Sequence, residues 1–185
     1  FGFHEKSEDL KKRFAGKLDG DTYDAKFIFS EIGYNFQSTE LSAAFGLEQL
    51  RRLPEFGRRR QKAFDELYAF FKPYERWFIL PKQHKQAKTN WLAFPLTIKE
   101  GAPFRRMQIT QYLEEHNVQT RPIFTGTIVR QPAFAHIPHR KAVPSFPVSD
   151  HVMKNGFLIG AHHGLSAAQM KHLKRTLAEF LASFQ

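Results

Sequence analysis

Apolar side chains recur at helical spacing from residue 40 to residue 72, and this run constrains the fold more than any other feature of the sequence. Ser38 or Thr39 fits the N-cap position before it, and Pro73 stops the pattern. Pro54 fits the first turn of a second helical section, where its missing N–H costs nothing. The pattern therefore predicts one long, kinked helix over 40–72, whose apolar face includes Leu41, Ala44, Phe45, Leu47, Leu50, Phe56, Ala63, Phe64, Leu67, Phe70 and Phe71.

The chain changes character on either side of this helix. The first thirty residues are polar and rich in turn-forming residues, which is typical of an arm or loop. From residue 73 onward, short apolar runs alternate with amphipathic stretches, and this alternation predicts a small α/β layer domain over 73–185. The predicted strands cover 90–98, 118–123 and 157–159, and the predicted helices cover 104–116, 150–155 and 167–184.

The composition is that of a globular protein, and the length of 185 residues is somewhat more than that of one domain of ~150 residues. Phe is unusually frequent, at 20 residues against 5 Tyr and 2 Trp, and rings without a polar group favour a core or an interface. The absence of Cys excludes disulfides, thiolate metal sites and cysteine nucleophiles. Because the chain has no long apolar run and no leader, we expect a cytoplasmic protein that does not contact membranes. Since it begins at Phe1 rather than Met, we expect a processed product or part of a longer chain.

The net charge of +10 does not by itself indicate nucleic-acid binding. A nucleic-acid binder gathers its basic residues on one face and interleaves them with stacking aromatic rings. Here the basic pairs are spread along the chain and lie beside acids on predicted helices, as in Glu55–Arg58. The pattern favours solvated helix faces, with an attraction for anionic small molecules, over a nucleic-acid partner.

Nine histidines raise the question of a metal site. His162 and His163 are adjacent, and adjacent side chains on a strand point to opposite faces, so they do not easily chelate one ion. His136 and His139 lie in a proline-rich loop with no acid nearby. The spacing favours structural or solvent-facing roles, and we expect no metal site.

Three loops are the most informative segments for function. Gly33–Glu40 leads into the N-terminus of the long helix, where free N–H groups suit an anion. Thr120–Pro132 places Arg121 and Arg130 near a strand end, and arginine suits planar phosphate or carboxylate groups. Gly160–Leu165 is a tight strand-to-helix turn. Taken one at a time, each loop is better explained by turn chemistry, helix capping or an ion pair than by ligand binding.

Taken together and in order, these loops resemble a known family. The run GYNFQSTELSAAFGLEQL at 33–50 is similar to the signature of the DegT/DnrJ/StrS-type pyridoxal-phosphate sugar aminotransferases. The runs TRPIFTG at 120–126 and RQPAF at 130–134 resemble the substrate loop of that family's nucleotide-sugar 3-dehydratase branch. The runs DHVMKNGF at 150–157 and HHGL at 162–165 fit the last segment of the same branch. The resemblance extends from about Phe14 to the C-terminus.

The resemblance implies the C-terminal small domain of the fold type I aminotransferase architecture. Residues 1–39 would be an arm and cofactor-facing loop of the large domain, 40–72 the connecting helix, and 73–185 the small domain. The implied cofactor is pyridoxal 5'-phosphate or pyridoxamine 5'-phosphate, shared across a homodimer. The residue that holds it, lysine in aminotransferases and histidine in dehydratases, would lie upstream of Phe1. The isolated chain would therefore have no catalytic residue of its own and would be inactive.

The resemblance also assigns roles to individual residues. Tyr34, Asn35 and Gln37 would bind the cofactor, the Asn35 amide reaching the phosphate in the other subunit. The nucleotide-sugar substrate would be bound by Arg121, Phe124, Thr125, Thr127, Arg130, His162 and His163.

The residues themselves leave a second class of function open. The first class is part of an enzyme of deoxysugar or polysaccharide biosynthesis, either an aminotransferase or a 3-dehydratase of a 4-keto-6-deoxyhexose. Its partners would be a second copy or the missing N-terminal half. The second class is a noncatalytic α/β module that binds a partner chain or an anion. The cofactor-facing loop favours the enzyme, because a free-standing module has no evident use for it.

Overall fold

A computed structural model describes residues 10–29, 31–34, 36, 38–140 and 144–185. The chain divides into two compact units, of which the first ends at Leu50 and the second comprises Arg51–Gln185.

The first unit contains a short hairpin where the sequence predicted only a loop. Helix α1 (Leu10–Arg13) precedes strands β1 (Gly16–Leu18) and β2 (Asp21–Tyr23), which pair antiparallel. Asp19 and Gly20 form the connection with φ values of 50° and 94°. Two residues with positive φ match the right-handed twist of a tight hairpin, so this Asp-Gly pair explains the turn.

Helix α2 covers Glu40–Phe71 and confirms the long helix predicted from the apolar periodicity. It includes Pro54, so the two predicted sections form one element. Thr39 precedes it, and its Oγ1 accepts a hydrogen bond from the N–H of Ser42 at 3.3 Å. The C-terminal half of α2 carries the buried face, formed by Phe56, Ala63, Phe64, Leu67 and Phe71.

The second unit is built on a four-stranded sheet in the order β3-β4-β6-β5, with every neighbouring pair antiparallel. The strands are β3 (Phe78–Ile79), β4 (Ala93–Ile98), β5 (Thr120–Pro122) and β6 (Gly156–Gly160). Strand β3 has only two residues, too few to show a period of two, and was not predicted. The helices are α3 (Arg106–Glu115), α4 (Pro147–Asn155) and α5 (Ala167–Ala182), close to the predicted positions.

One face of the sheet carries the core of this unit. Phe94 of β4 lies opposite Ile159 of β6, and Leu96 lies opposite Phe157, so the register places four buried side chains on one face. The C-terminal half of α2, together with α3 and α5, completes this cluster with side chains such as Leu67, Phe71, Leu113, Leu177 and Leu181. The chain is therefore of mixed α/β class, as predicted.

Candidate functional site

The loop that joins β5 to α4 contains most of the predicted substrate residues. Phe124 adopts a φ of 48°, and its N–H donates to the carbonyl of Pro122 at 2.8 Å. Gly126 has a φ of 65°, and an added Cβ would lie 2.6 Å from the Cβ of Met153 in α4. Only glycine meets both conditions at this position, the left-handed backbone and the close approach of α4.

Asp150, in the first turn of α4, binds two of the predicted residues. The Oγ1 of Thr127 donates to Oδ1 of Asp150 at 2.7 Å. The Nε and Nη2 atoms of Arg130 donate to Oδ1 and Oδ2 at 2.5 Å each, which is the bidentate geometry of a guanidinium–carboxylate pair. The hydrogen bonds from Arg130, and after them that from Thr127, lower the pKa of Asp150 to about 2. The carboxylate is therefore ionised throughout the physiological range.

A cavity of about 290 Å³ lies between this loop and α4. Phe124 and Thr125 line one side, and Phe124 is 83% exposed. Its other lining residues are Ile123, Gly126, Val148, Ser149 and Val152, so the cavity is mainly apolar and contains two hydroxyl groups. Such a surface suits a ligand with an apolar face and a few hydrogen-bonding groups.

Arg121 lies on β5, the edge strand of the sheet, opposite Leu158 of β6. Opposed residues of an antiparallel pair share a face of the sheet, and this face is the one opposite Phe157 and Ile159. The residue is exposed, and its guanidinium has no hydrogen-bond or ion-pair partner among the described residues. Arg121 therefore keeps its whole guanidinium for an anion, whereas Arg130 already uses two of its nitrogen atoms.

The two predicted histidines lie at the other end of the strands. The β5–α4 loop begins beside the start of β6, because Pro122 pairs with Phe157, whereas His162 and His163 follow the end of β6. Five residues of strand span roughly 13 Å. Within this chain, the predicted substrate residues therefore form two separate groups. His162 lines a cavity of about 200 Å³ with Asn117, Val118, Gln119, Gly160, Leu165, Gln169, His172 and Leu173.

His163 packs against α2. Its ring stacks on Phe56, and its Nδ1 accepts a hydrogen bond from Nε of Arg60 at 3.3 Å. Burial is the main cause that lowers the pKa of His163, and the positive charge of Arg60 lowers it further. The ring is therefore neutral near pH 7, and only Nε2 remains for a ligand.

The predicted cofactor residues lie before α2, and only one of them can be described. Tyr34 is 83% exposed, and its ring stacks on that of Phe36 with centroids 5.9 Å apart. Asn35 and Gln37 lie outside the described residues.

The described parts of the chain contain neither a metal-binding cluster nor a transmembrane helix. Across those residues, no three His, Cys, Asp or Glu side chains come together in a way that could hold a metal ion. None of the helices described combines the length and hydropathy of a transmembrane span.

Sequence reasoning missed the role of Asp150. An acid in the first turn of a helix is ordinarily explained by the helix dipole, so Asp150 was not identified as the partner of residues 20 and 23 positions earlier. The signal available was two polar loop residues, Thr127 and Arg130, spaced three apart with no acid nearby.

The fold and its loops define the class of this protein. Solved structures with the same fold include the X-ray structure of the aminotransferase from Psychrobacter cryohalolentis, with a TM-score of 0.77 at 14% identity, covering 99% of this chain and 47% of that one. They also include E coli GDP-4-keto-6-deoxy-D-mannose-3-dehydratase with bound hydrated PLP, with a TM-score of 0.72 at 26% identity, covering 90% of this chain and 42% of that one. The fold is that of aminotransferase-type enzymes. The DegT/DnrJ/EryC1/StrS aminotransferase family model matches residues 5–178, and the chain belongs to that family.

Curated relatives agree with this assignment. The lipopolysaccharide biosynthesis protein RfbH of Salmonella typhimurium is 32% identical over 171 residues, covering 91% of this chain and 39% of the relative. The GDP-4-keto-6-deoxy-D-mannose 3-dehydratase of Yersinia pseudotuberculosis is 29% identical, covering 85% of this chain and 39% of the relative. The chain thus spans about two fifths of the length of these relatives.

Proposed function

We propose that this chain is part of a PLP- or PMP-dependent enzyme that modifies nucleotide sugars for deoxysugar or polysaccharide biosynthesis. The reaction is transamination or 3-dehydration of a 4-keto-6-deoxyhexose. The observation that carries the proposal is the 32% identity to a lipopolysaccharide biosynthesis protein over 91% of this chain. The structural likeness to a 3-dehydratase supports the same reading.

The proposal gives the chain a place in the larger enzyme. Residues 1–39 belong to the large domain as an arm and cofactor-facing loop, 40–72 form the connecting helix, and 73–185 form the C-terminal small domain. The continuous helix over Glu40–Phe71 supports the connecting segment of this division, and its C-terminal half packs into the core of the second unit.

The described residues before α2 fit the phosphate end of the proposed cofactor. Thr39 accepts from the N–H of Ser42, and the earlier N–H groups of the first turn, which have no acceptor within the helix, suit an anion. Tyr34 offers an exposed hydroxyl before them in sequence. Asn35 and Gln37 would complete the contact. The cofactor, when bound, supplies an electron sink for cleavage of bonds to carbon. The chain's own residues bind and orient its phosphate.

The Asn35 contact has its own test in the complete enzyme. Asn35→Ala removes one neutral donor to a charged phosphate, so cofactor affinity should fall roughly 10- to 150-fold while the melting temperature stays unchanged. A variant that melts earlier but binds pyridoxal phosphate normally would show that Asn35 is a turn or cap residue instead.

The proposed substrate surface combines the β5–α4 loop with the exposed Arg121. Arg121 is suited to the diphosphate of a nucleotide sugar, and Phe124 and Thr125 offer an apolar ring and a hydroxyl for the sugar or base. Thr127 and Arg130 contribute through the loop that they hold in place. His162 and His163, at the other end of β6, would meet a different part of the substrate.

The enzyme is proposed to be a cytoplasmic homodimer. Phe27, Phe36 and Phe45 are exposed in the first unit, and Phe36 is 92% exposed. Large exposed apolar surfaces mark interfaces, and the cofactor-facing loop lies among these rings in sequence. A second copy is the partner that this reading requires.

The isolated 185-residue chain is proposed to be inactive. Catalysis of this kind needs a base positioned at the reacting carbon, and the family resemblance assigns the cofactor-holding residue to the part of the enzyme outside this chain. Turnover of a 4-keto nucleotide sugar by the pure chain, above a control with cofactor alone, would contradict this.

The decisive experiment uses the complete enzyme encoded by the parent gene. It is supplied with PLP, L-glutamate and GDP-4-keto-6-deoxy-D-mannose, and products are identified by mass spectrometry. An amino group in place of the keto oxygen indicates a transaminase, whereas loss of the C3 oxygen indicates a dehydratase. The residue at the cofactor-holding position should be lysine if the enzyme is a transaminase and histidine if it is a dehydratase. If neither product forms with this substrate or its dTDP-linked counterpart, the alternative of a noncatalytic module is favoured.

A further inference from the structure

We propose that Asp150 is a positioning residue that orders the β5–α4 loop and so presents Phe124 and Thr125 to the ligand. The inference rests on the proposed function for the identity of that ligand. The ordering of the loop rests on contacts within this chain alone.

The contacts of Asp150 account for both of its carboxylate oxygens. Oδ1 accepts from Thr127 and from Nε of Arg130, and Oδ2 accepts from Nη2 of Arg130. Thr127 is only 5% exposed, so its hydroxyl needs a partner inside the protein. One carboxylate thus binds the loop at two points three residues apart.

Neighbouring contacts stabilise the same arrangement. The side-chain amide of Gln131 donates to the carbonyl of Thr125 at 2.7 Å, which closes the loop on itself. Gly126 approaches the side chain of Met153, one helical turn after Asp150 on α4. The backbone N–H of Arg130 donates to the carbonyl of Thr127 at 2.9 Å. The ion pair therefore anchors a preformed turn to α4.

The side chains presented by this turn differ from those that hold it. Phe124 and Thr125 are exposed and line the cavity beside α4. Asp150 does not line that cavity and does not belong to the apolar core. Its contacts consequently serve the conformation of the loop rather than the packing of the domain, which is the arrangement expected of a residue that acts through another.

Arg130 gains a different role from this arrangement. Two of its nitrogen atoms donate to Asp150, so one edge of its guanidinium is already paired with a carboxylate. Arg121 is exposed and has no partner among the described residues. We infer that Arg130 orders the loop and that Arg121 meets the anionic part of the ligand.

The first arm of the test measures hydrogen exchange in the 185-residue chain. Asp150→Asn should accelerate exchange of the Gly126, Arg130 and Gln131 amides about two- to fivefold, the range for an ion pair worth up to about 1 kcal/mol. Amides of β4 and α5 should keep their rates. Thr127→Val removes only the hydroxyl contact and should accelerate exchange less in the same segment. This variant replaces Asp150→Asn in the test if Asp150→Asn folds poorly. Glu66→Gln, which breaks the Lys174 ion pair in the same unit, is the matched control.

The second arm measures kinetics in the complete enzyme. Asp150→Asn should raise KM for the nucleotide sugar about fivefold or more, the effect of releasing a preorganised loop, with a smaller change in kcat. Asp150→Glu, which keeps the charge, should recover part of the loss, and Glu66→Gln should leave KM unchanged.

The outcomes separate this inference from the proposed function. Unchanged loop exchange in Asp150→Asn, or equal acceleration across the whole second unit, would overturn the ordering role. Faster loop exchange with an unchanged KM would overturn the presentation of Phe124 and Thr125. If the unaltered enzyme turns over no nucleotide sugar, the proposed function is wrong, and the exchange arm still decides whether Asp150 orders the loop.

Discussion

The ring of His163 lies nearly parallel to the ring of Phe56, with centroids 3.9 Å apart and planes 22° apart. The guanidinium of Arg52 lies 5.1 Å from the centroid of the same Phe56 ring, and Arg60 donates to Nδ1 of His163. A protonated His163 would face two nearby cations. The pair therefore joins the β6–α5 turn to α2 more strongly while the imidazole is neutral.

This arrangement predicts a pH dependence of stability. The pKa of His163 is lowered from its ordinary 6.5 by burial and then by neighbouring positive charge, so the unfolded chain takes up the proton first as pH falls. Stability should fall as pH drops below about 6.5, until the folded-state pKa is reached. His163→Phe keeps a stacked ring without a titrating group, so its urea midpoint should change less between pH 7.5 and 5.5 than that of the parent.

The control for this experiment is His136→Gln, because His136 is exposed and has no partner among the described residues. Its pH profile should match that of the parent. Identical slopes for His163→Phe and the parent would show that His163 does not contribute.

The aromatic centre of the second unit should dominate its stability. Phe71 is fully buried and contacts Phe78 and Phe94, with ring centroids 5.2 Å and 5.6 Å away. Phe71→Ala removes these contacts and leaves a cavity, which should lower the free energy of unfolding by about 3–5 kcal/mol. Met107→Ala, at an exposed position of α3, should change it by less than about 0.5 kcal/mol. Chemical unfolding of both variants checks the contrast, and a loss below 1 kcal/mol for Phe71→Ala would contradict the packing described.

Helix α5 should depend on its N-terminal cap. The Oγ of Ser166 accepts from the N–H of Gln169 at 3.2 Å, and the Gln169 side chain accepts from the N–H of Ser166 at 2.9 Å. Ser166→Ala removes one half of this capping box, so we expect a loss of about 1 kcal/mol by thermal unfolding. Ser145→Ala, at an exposed position with no described hydrogen bond, should leave the melting temperature unchanged. Equal melting temperatures for both variants would argue against the cap.

The exposed apolar side chains of the first unit should promote self-association. Phe45 is 67% exposed on α2, and burying one such ring is worth about 1.5–3 kcal/mol. Phe45→Ser should therefore weaken association roughly tenfold or more in sedimentation velocity. Ala44→Ser, its neighbour, is the control and should associate like the parent. A parent chain that stays monomeric at high concentration would contradict the proposed interface.

Where local patterns suffice, the sequence predicted the structure well. Helix α2 was recovered because its apolar spacing repeats over many turns, and Thr39 was one of the two residues predicted to cap it. The hairpin at 16–23 and strand β3 were missed. These strands have two or three residues each, so their conformation depends on a partner rather than on their own periodicity.

The candidate site was likewise predictable from the sequence only in part. The sequence alone placed Thr125, Thr127 and Arg130 in a turn-rich loop, and the signatures within 33–50 and 120–165 were enough to indicate the family. Only the tertiary structure decided that Asp150 binds Thr127 and Arg130, and that His163 stacks on Phe56 at the far end of β6. The physical reason is that helices, turns and caps arise from interactions between residues close in sequence. An ion pair across 20 residues, or a ring stack across more than 100, exists only once the sheet and α2 have brought distant segments together.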